Sequence, residues 1–200
     1  MSETLDFSTA LGPLPKGLLK HCDQVRKVSL ELALRFGVDP DKAELGARLH
    51  DVARAKRPEE LLALARGFGL PVTDIEERFT LFLHGPVGAE LLRCQFNVRD
   101  EDVLNGVRYH TVGRRGMSTL EKVLFLADKI EPGKDHRYPF LDVVRHHLET
   151  DLDLAMLTFI DNMLKQFLEQ RSFIHPATVE ARNDLIVKLG AAGSGERQGG

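Results

Sequence analysis

The stretch 44–55, ELGARLHDVARA, sets His50 and Asp51 side by side at the end of an alanine-rich helical run. Such a pair has two readings. It can cap a helix end and touch solvent, or it can face inward because it holds a metal. The pair by itself leaves both open, so the flanking sequence has to be read outward from it.

Upstream, VDPDKAELGARLHD (38–51) begins with Asp39 as an N-cap and Pro40 at the first helical position. Before that, LLKHCDQVRKVSLELALRFG (18–37) carries apolar residues at helical spacing and stops at Gly37, a good residue just past a helix end. Downstream, RPEELLALARGFG (57–69) repeats the pattern, with Pro58 near its start and Gly67 at its end. GPVGAELLRCQF reads as a short apolar helix beginning at Pro86, and RDEDVLNGVRYH opens on acidic residues that suit a helix N-terminus. After the loop TVGRRGM, Ser118 and Glu121 form a capping box for STLEKVLFLADKI. A second polar loop, EPGKDHRYP, precedes FLDVVRHHLE, the long DLDLAMLTFIDNMLKQFLEQ and a final helix PATVEARNDLIVKL. Strand alternation is hardly found, and neither a repeat nor a linker is visible. The expectation is one all-α domain, with residues 1–18 as an N-terminal extension and the Gly-rich 190–200 as a disordered tail.

Two hundred residues can bury a sizeable core, and 42% hydrophobic with 28% charged residues is ordinary for a soluble globular chain. A net charge of −3 argues against coating a nucleic acid, which calls for a basic stripe. It leaves room for a small phosphorylated ligand. No run is long enough to cross a bilayer, and no secretory signal opens the chain. Cys22 and Cys94 make no CxxC and no disulfide framework, which suits a reducing cytoplasm.

Eight histidines accompany two tyrosines and no tryptophan. His21 lies near the start of the first long helix, His50 and Asp51 close the second, His84 precedes a helix in LFLHGP, and His110 ends VRYH. Each alone suits a cap or a solvated helix end. Asp128, within the apolar VLFLADKI, is harder to dismiss, because a buried carboxylate must be paired or bound to a metal. Taken jointly, four imidazoles and two carboxylates point to a metal centre, large enough for two ions, with iron, manganese or zinc as acceptable occupants. A carboxylate at Asp51 could bridge them.

The order His21, His50-Asp51, His84, His110, Asp128 resembles the HD-domain phosphohydrolase superfamily. LHGPVGAELL, VLNGVRYHTVGRRGMSTLEKVLFLADKIEPG and IHPATVEARN resemble, nearly in register, the YqeK family of bacterial HD proteins, which are symmetrical diadenosine tetraphosphate hydrolases with two iron ions. The likeness runs from about residue 19 to 187. It implies an HD-domain helical bundle over 19–189 and a small-molecule nucleotide substrate. His21, His50, Asp51 and Asp128 would hold one iron. His84 and His110 would hold the second, with Asp51 shared, and manganese or another divalent metal is the alternative. Asp51, His84 and His110 are the residues expected at the point of catalysis. Substrate contacts are implied for Leu81, Phe82, Leu83, His84 and His110, and for Phe173, Ile174, His175, Pro176, Ala177 and Thr178 as a base and ribose pocket. Phosphate would meet Lys134, with Arg114 and Arg137 close by.

The chain departs from the family pattern at Leu18 and Cys22, where an arginine and a Ser or Thr are usual. Lys134 stands where the family has arginine, a point charge in place of a bidentate fork. Arg115 makes the usual GRPGM into GRRGM and suits a solvated surface charge as well as a phosphate contact. Lys122 and Lys129 are expected to point outward, and His136, His146 and His147 to lie on the surface.

A two-metal site brings hydroxide and polarised phosphoryl oxygens together. The expected reaction is in-line attack by metal-bound hydroxide at the middle of diadenosine tetraphosphate, giving two ADP. The alternatives are another nucleotide substrate, deoxynucleotide or cyclic nucleotide, and a non-catalytic nucleotide-binding module. The latter would be expected to lose ligands, and this chain keeps all six. Oligomeric state is not written in the sequence.

Overall fold

Several helices begin at side-chain caps supplied by Asp39, Thr73, Asp100, Ser118 and Asp151. The computed structural model describes residues 14–195, and among them it contains ten α-helices, two 3-10 turns and no strand. Residues 1–13 of the expected extension and 196–200 of the expected tail lie outside the described residues.

Helix α1 (Lys16–Phe36) stops at Gly37, whose φ of 68° is left-handed, and Val38 N–H closes the end onto Ala33 O at 2.9 Å. The Asp39 carboxylate then accepts from the backbone of Asp41 and Lys42 to start α2 (Pro40–Leu49). Helix α3 (Pro58–Gly67) is followed by α4 (Asp74–Arg78), which the sequence reading missed, although Thr73 and Glu76 make a capping box for it. A 3-10 turn over Thr80–Leu83 leads directly into α5 (His84–Gln95). The helix thus starts at His84, not at Pro86, which takes a place within its first turn.

Helix α6 (Glu101–Tyr109) has Asp100 as N-cap. The expected capping box of Ser118 and Glu121 opens α7 (Thr119–Ile130). Then come α8 (Leu141–His147), α9 (Leu152–Glu169) and α10 (Pro176–Gly195). The last helix runs on through Gly190 to Gly195, into the segment read as a tail.

Helix α7 is the axis of the domain. Its residues 120–130 are all buried, and α1, α2, α6 and α9 pack around it. That enclosure corrects one expectation: Lys122 and Lys129 do not point outward but are each only 8% exposed. Beyond Thr119 no residue of α7 is more than 9% exposed, so their charges are met internally, by Asp153 and Asp128.

Close approach is bought with glycine. A Cβ at Gly46 on α2 would fall 2.5 Å from Leu124 Cδ1, and one at Gly106 on α6 would overlap the same methyl. Leu124 therefore occupies two notches at once. Phe125 and Tyr138 pack edge-on against Phe159 in the core between α7, α8 and α9, and the half-buried Phe140 meets the same ring at a tilt. A smaller apolar cluster, built on Leu61, Leu83, Val87 and Leu91, joins α3 to α5. The effect is that the ends of α2 and α6, the start of α5 and the last turn of α7 meet at one place, facing the first turns of α1.

Candidate metal centre and nucleotide cavity

The six residues singled out from the sequence converge there. His50 and His110 are the C-caps of α2 and α6, His84 is the first residue of α5, and His21 and Asp128 come from α1 and α7. His50 donates from Nδ1 to Ala47 O at 2.7 Å, and His110 from Nδ1 to Val107 O at 2.7 Å. His84 does the same to Leu81 O. Ala47 O and Val107 O belong to the last turns of α2 and α6, where carbonyls lack helical partners, while Leu81 O lies in the 3-10 turn and also accepts the His84 backbone N–H; each bond turns its ring's Nε2 lone pair inward. Histidine cannot be oriented this way in mid-helix, and His21 finds a different partner: its Nδ1 lies 3.3 Å from Glu131 Oε1. Glu131 is itself buried and accepts from Gly133 N–H at 2.6 Å. A carboxylate behind a ligating imidazole is a recurrent support for metal sites.

Asp51 stands between two lobes. Its Oδ1 lies 3.0 Å from His84 Nε2 and 3.6 Å from His110 Nε2. Its Oδ2 lies 3.5 Å from His50 Nε2 and 3.8 Å from His21 Nε2. Asp128 Oδ1 completes the first lobe at 3.0 Å from His21 Nε2. Ligand atoms about 2.1 Å from a common ion stand roughly 3 Å apart. In the donor sets His21, His50, Asp51 and Asp51, His84, His110 the ligand atoms all lie within 4.8 Å of one another, close enough for each set to share an ion. The chemistry, neutral imidazole with carboxylate, suits a divalent first-row metal.

The charges agree. Burial pushes Asp51 up, but His50, His110 and His84 outweigh it and hold the carboxyl well below the usual carboxylate range. Asp128 is likewise held well below, with Lys129 and His21 overcoming its burial. Burial lowers His110 to about 4, against the opposing pull of Asp51, and lowers His50 as well. Neutral imidazoles and ionised carboxylates are the ligand forms a metal requires. Cys22 follows His21 but is not a ligand: burial, then Asp51 and Asp128, push its thiol up to about 12.

A cavity of about 470 Å³ opens from this centre, within the range of small-molecule sites. Of the residues the resemblance implies, Leu81, Phe82, His84, His110, Lys134, Arg137, Phe173, His175 and Thr178 line it. Leu83, Ile174, Pro176 and Ala177 do not, and Leu83 packs in the α3–α5 cluster instead. Arg114 does not either. Its guanidinium grips the buried Glu121 through two bonds of 2.8 and 2.6 Å, so Glu121 is both a cap and an arginine anchor. Arg115 is a surface charge near Asp184. His136 and His146 are exposed as expected, while His147 is half-buried.

His175 has both nitrogens engaged: Nε2 donates to Glu76 Oε1 at 2.8 Å, and Nδ1 accepts from Ala177 N–H at 3.2 Å. Only the ring surface is left for a ligand. Phe82 packs edge-on to it with centroids 5.2 Å apart, and Phe79 contacts Phe173 at 4.5 Å, which makes an aromatic rim. Thr178 holds this segment to the site by donating to Val112 O at 2.8 Å.

Three residues at the centre escaped the sequence reading. One is Glu131, behind the His21 ring. Thr111 places its hydroxyl 3.1 Å from His110 Nε2 and 3.4 Å from His84 Nε2. Arg54, half-buried and lining the cavity three residues after Asp51, brings a cation to it. Their only sequence signal is proximity to the ligands.

Comparison with known proteins agrees with this geometry. The HD domain family matches residues 18–133. A Bacillus subtilis protein named bis(5'-nucleosyl)-tetraphosphatase, symmetrical, is 38% identical over 83% of this chain and 88% of its own. One of the same name from Halalkalibacterium halodurans is 37% identical over 84% of this chain and 89% of its own. A Clostridium acetobutylicum crystal structure, described as a "predicted HD superfamily hydrolase involved in NAD metabolism", superposes with a TM-score of 0.87 at 33% identity, over 94% of this chain and 99% of that one.

Proposed function

We propose, from the premise that the chain belongs to the HD domain family, that it is a two-metal phosphohydrolase that cleaves diadenosine tetraphosphate at its centre to give two ADP. The observation that carries the reading is the division of Asp51, one oxygen toward His84 and His110 and the other toward His50 and His21. Such a split suits one ion on each side, iron or manganese. A metal pair supplies, when bound, an activated water and polarisation of the phosphoryl oxygens.

The chain's own residues do the rest. Lys134 and Arg137 at one wall and Arg54 beside the Asp51 turn hold the polyphosphate oxygens and neutralise the charge of the departing ADP. The Thr111 hydroxyl, beside His84 and His110, orients the attacking water by hydrogen bonding. The ring faces of Phe82 and His175 receive an adenine, since the nitrogens of His175 are already occupied. Leu81 and Phe173 at the rim keep that base out of water. No described helix is long and apolar enough to cross a membrane, and the two unpaired cysteines fit a reducing cytoplasm.

The test is a product assay with ferrous-loaded protein under low oxygen, resolving nucleotides by chromatography. ADP as sole product from diadenosine tetraphosphate supports the reading. ATP with AMP would keep the metal centre and overturn the position of cleavage. Two bound ions with no turnover of this substrate, of NAD or of deoxynucleotides would point to a binding module.

A further inference from the structure

Lys129 is a buried cation at the wall of the cavity, with no part in the proposed binding of phosphate or base. It follows Asp128 in the last turn of α7 and is 8% exposed. Its ammonium donates to Oδ2 of Asp128 and, at 3.1 Å, to the carbonyl oxygen of His110. Those two acceptors belong to residues on opposite sides of Asp51. Asp128 faces His21 and His50 through Oδ1, while His110 faces His84. The Phe125 ring, 5.0 Å away, covers the ammonium and adds a cation–π contact.

Each contact has a consequence. An ammonium on Oδ2 leaves Asp128 a single oxygen to offer inward. The carbonyl of His110 lies at the C-terminal end of α6, where the helix dipole is negative and a cation is favoured. The bond therefore ties the end of α6 to α7 at the level of the ligands. A lysine that served burial alone would behave like Lys122, on the same helix, whose partner Asp153 lies away from the histidines.

We propose that Lys129 is a positioning residue that couples the two halves of the centre: it restricts Asp128 to one-oxygen ligation and fixes the His110 end of α6 against it. The proposal rests on the two-ion reading. It predicts that Lys129 acts on ion retention and ligand geometry, and on substrate affinity hardly at all.

The experiment compares wild type, Lys129→Met, Lys129→Arg and Lys122→Met. Manganese(II) binding is measured by equilibrium dialysis, cobalt(II) visible spectra report coordination, and far-UV circular dichroism reports folding. Lys129→Met is expected to lose about 10- to 100-fold in affinity for the more weakly held ion, as loss of a ligand-orienting group does. Its cobalt spectrum should change as Asp128 gains a second free oxygen, and kcat should fall while KM moves less than about 3-fold. Lys129→Arg, which keeps the charge and the donors, should recover part of the affinity even if Lys129→Met folds poorly. Lys122→Met should lose stability with ion retention and spectrum intact. Wild-type retention and spectra in both Lys129 variants would overturn the proposal, as would losses in Lys129→Met matched by Lys122→Met. Wild type taking up fewer than two ions would instead sink the two-ion reading, and the variants would still be compared on the ion it holds.

Discussion

Oδ1 of Asp51 lies 3.0 Å from Nε2 of His84, while the other oxygen of the same carboxylate faces His50 and His21. One side chain thus faces both donor sets, and the two-ion reading requires that its removal disable both. Asp51→Ala should lose bound metal and reduce turnover by at least about 100-fold, with its helical circular dichroism retained. Full turnover in this variant would show that the carboxylate does not bridge.

Glu131 makes a subtler prediction. It touches no metal site directly, but it fixes the His21 ring through Nδ1 at 3.3 Å. Glu131→Gln should weaken metal binding by about 10-fold or more, because the amide no longer draws the Nδ1 proton as a carboxylate does. Calorimetric titration with manganese(II) gives the answer, and an unchanged isotherm would assign Glu131 to loop structure alone.

At Gly85 the prediction is steric. A Cβ there would stand 2.7 Å from Arg108 O and 3.0 Å from Val107 O, at the point where α5 meets the end of α6. Gly85→Ala should cost about 1–3 kcal/mol and push His84 away from His110. Thermal melting with and without metal separates the two effects: the melting-temperature gain from metal should shrink as well as the baseline. A variant with an undiminished gain would mean that the backbone contact does not position His84.

The pH dependence of the metal-free protein follows from His110. Its folded pKa is depressed from 6.5 to about 4, chiefly by burial. The unfolded chain therefore takes up a proton that the folded one refuses. Stability contributed by this group is fully present above pH 6.5 and is lost as pH falls toward 4, by up to about 3 kcal/mol. Melting temperatures of apo wild type between pH 7.5 and 4.5 should fall more steeply than those of His110→Asn. Parallel slopes would mean that other groups set the acid limit.

Lys134 tests the grip on substrate. It lines the cavity with its ammonium 3.8 Å from Asp128 Oδ1. Lys134→Ala should raise KM about 10-fold with a smaller change in kcat, the pattern of a ground-state phosphate contact. Steady-state kinetics decide it, and an unchanged KM would move the contact to Arg137 or Arg54.

The six candidate ligands, which the fold brings together, could be picked out in the sequence because each has a local signal. His50 and His110 end helices whose starts are marked by Asp39 and the acidic 100–102, and His84 stands just before the expected helix start at Pro86. What escaped depends on three-dimensional enclosure. Lys122 and Lys129 look like solvent-facing positions on an isolated α7, and only the packing of α1, α2, α6 and α9 around that helix denies them water. The partnership of Glu131 with His21 spans 110 residues, beyond any periodicity. Arg114 reads as a phosphate ligand in its Gly-rich loop, but a buried Glu121 seven residues on takes it first.

Leu124 has a reach beyond the core it fills. Its methyl groups key into Gly46 and Gly106, so α7 can neither slide nor roll against α2 and α6. Asp128 stands one helical turn further along the same face. The depth at which that carboxylate is presented is therefore gauged by a hydrocarbon lock, one turn away from the polar bonds of Lys129. Trimming or enlarging the lock would detune the chemistry from a distance, so inactivating substitutions in this protein should cluster along a line of apolar and glycine positions as well as at the ligands.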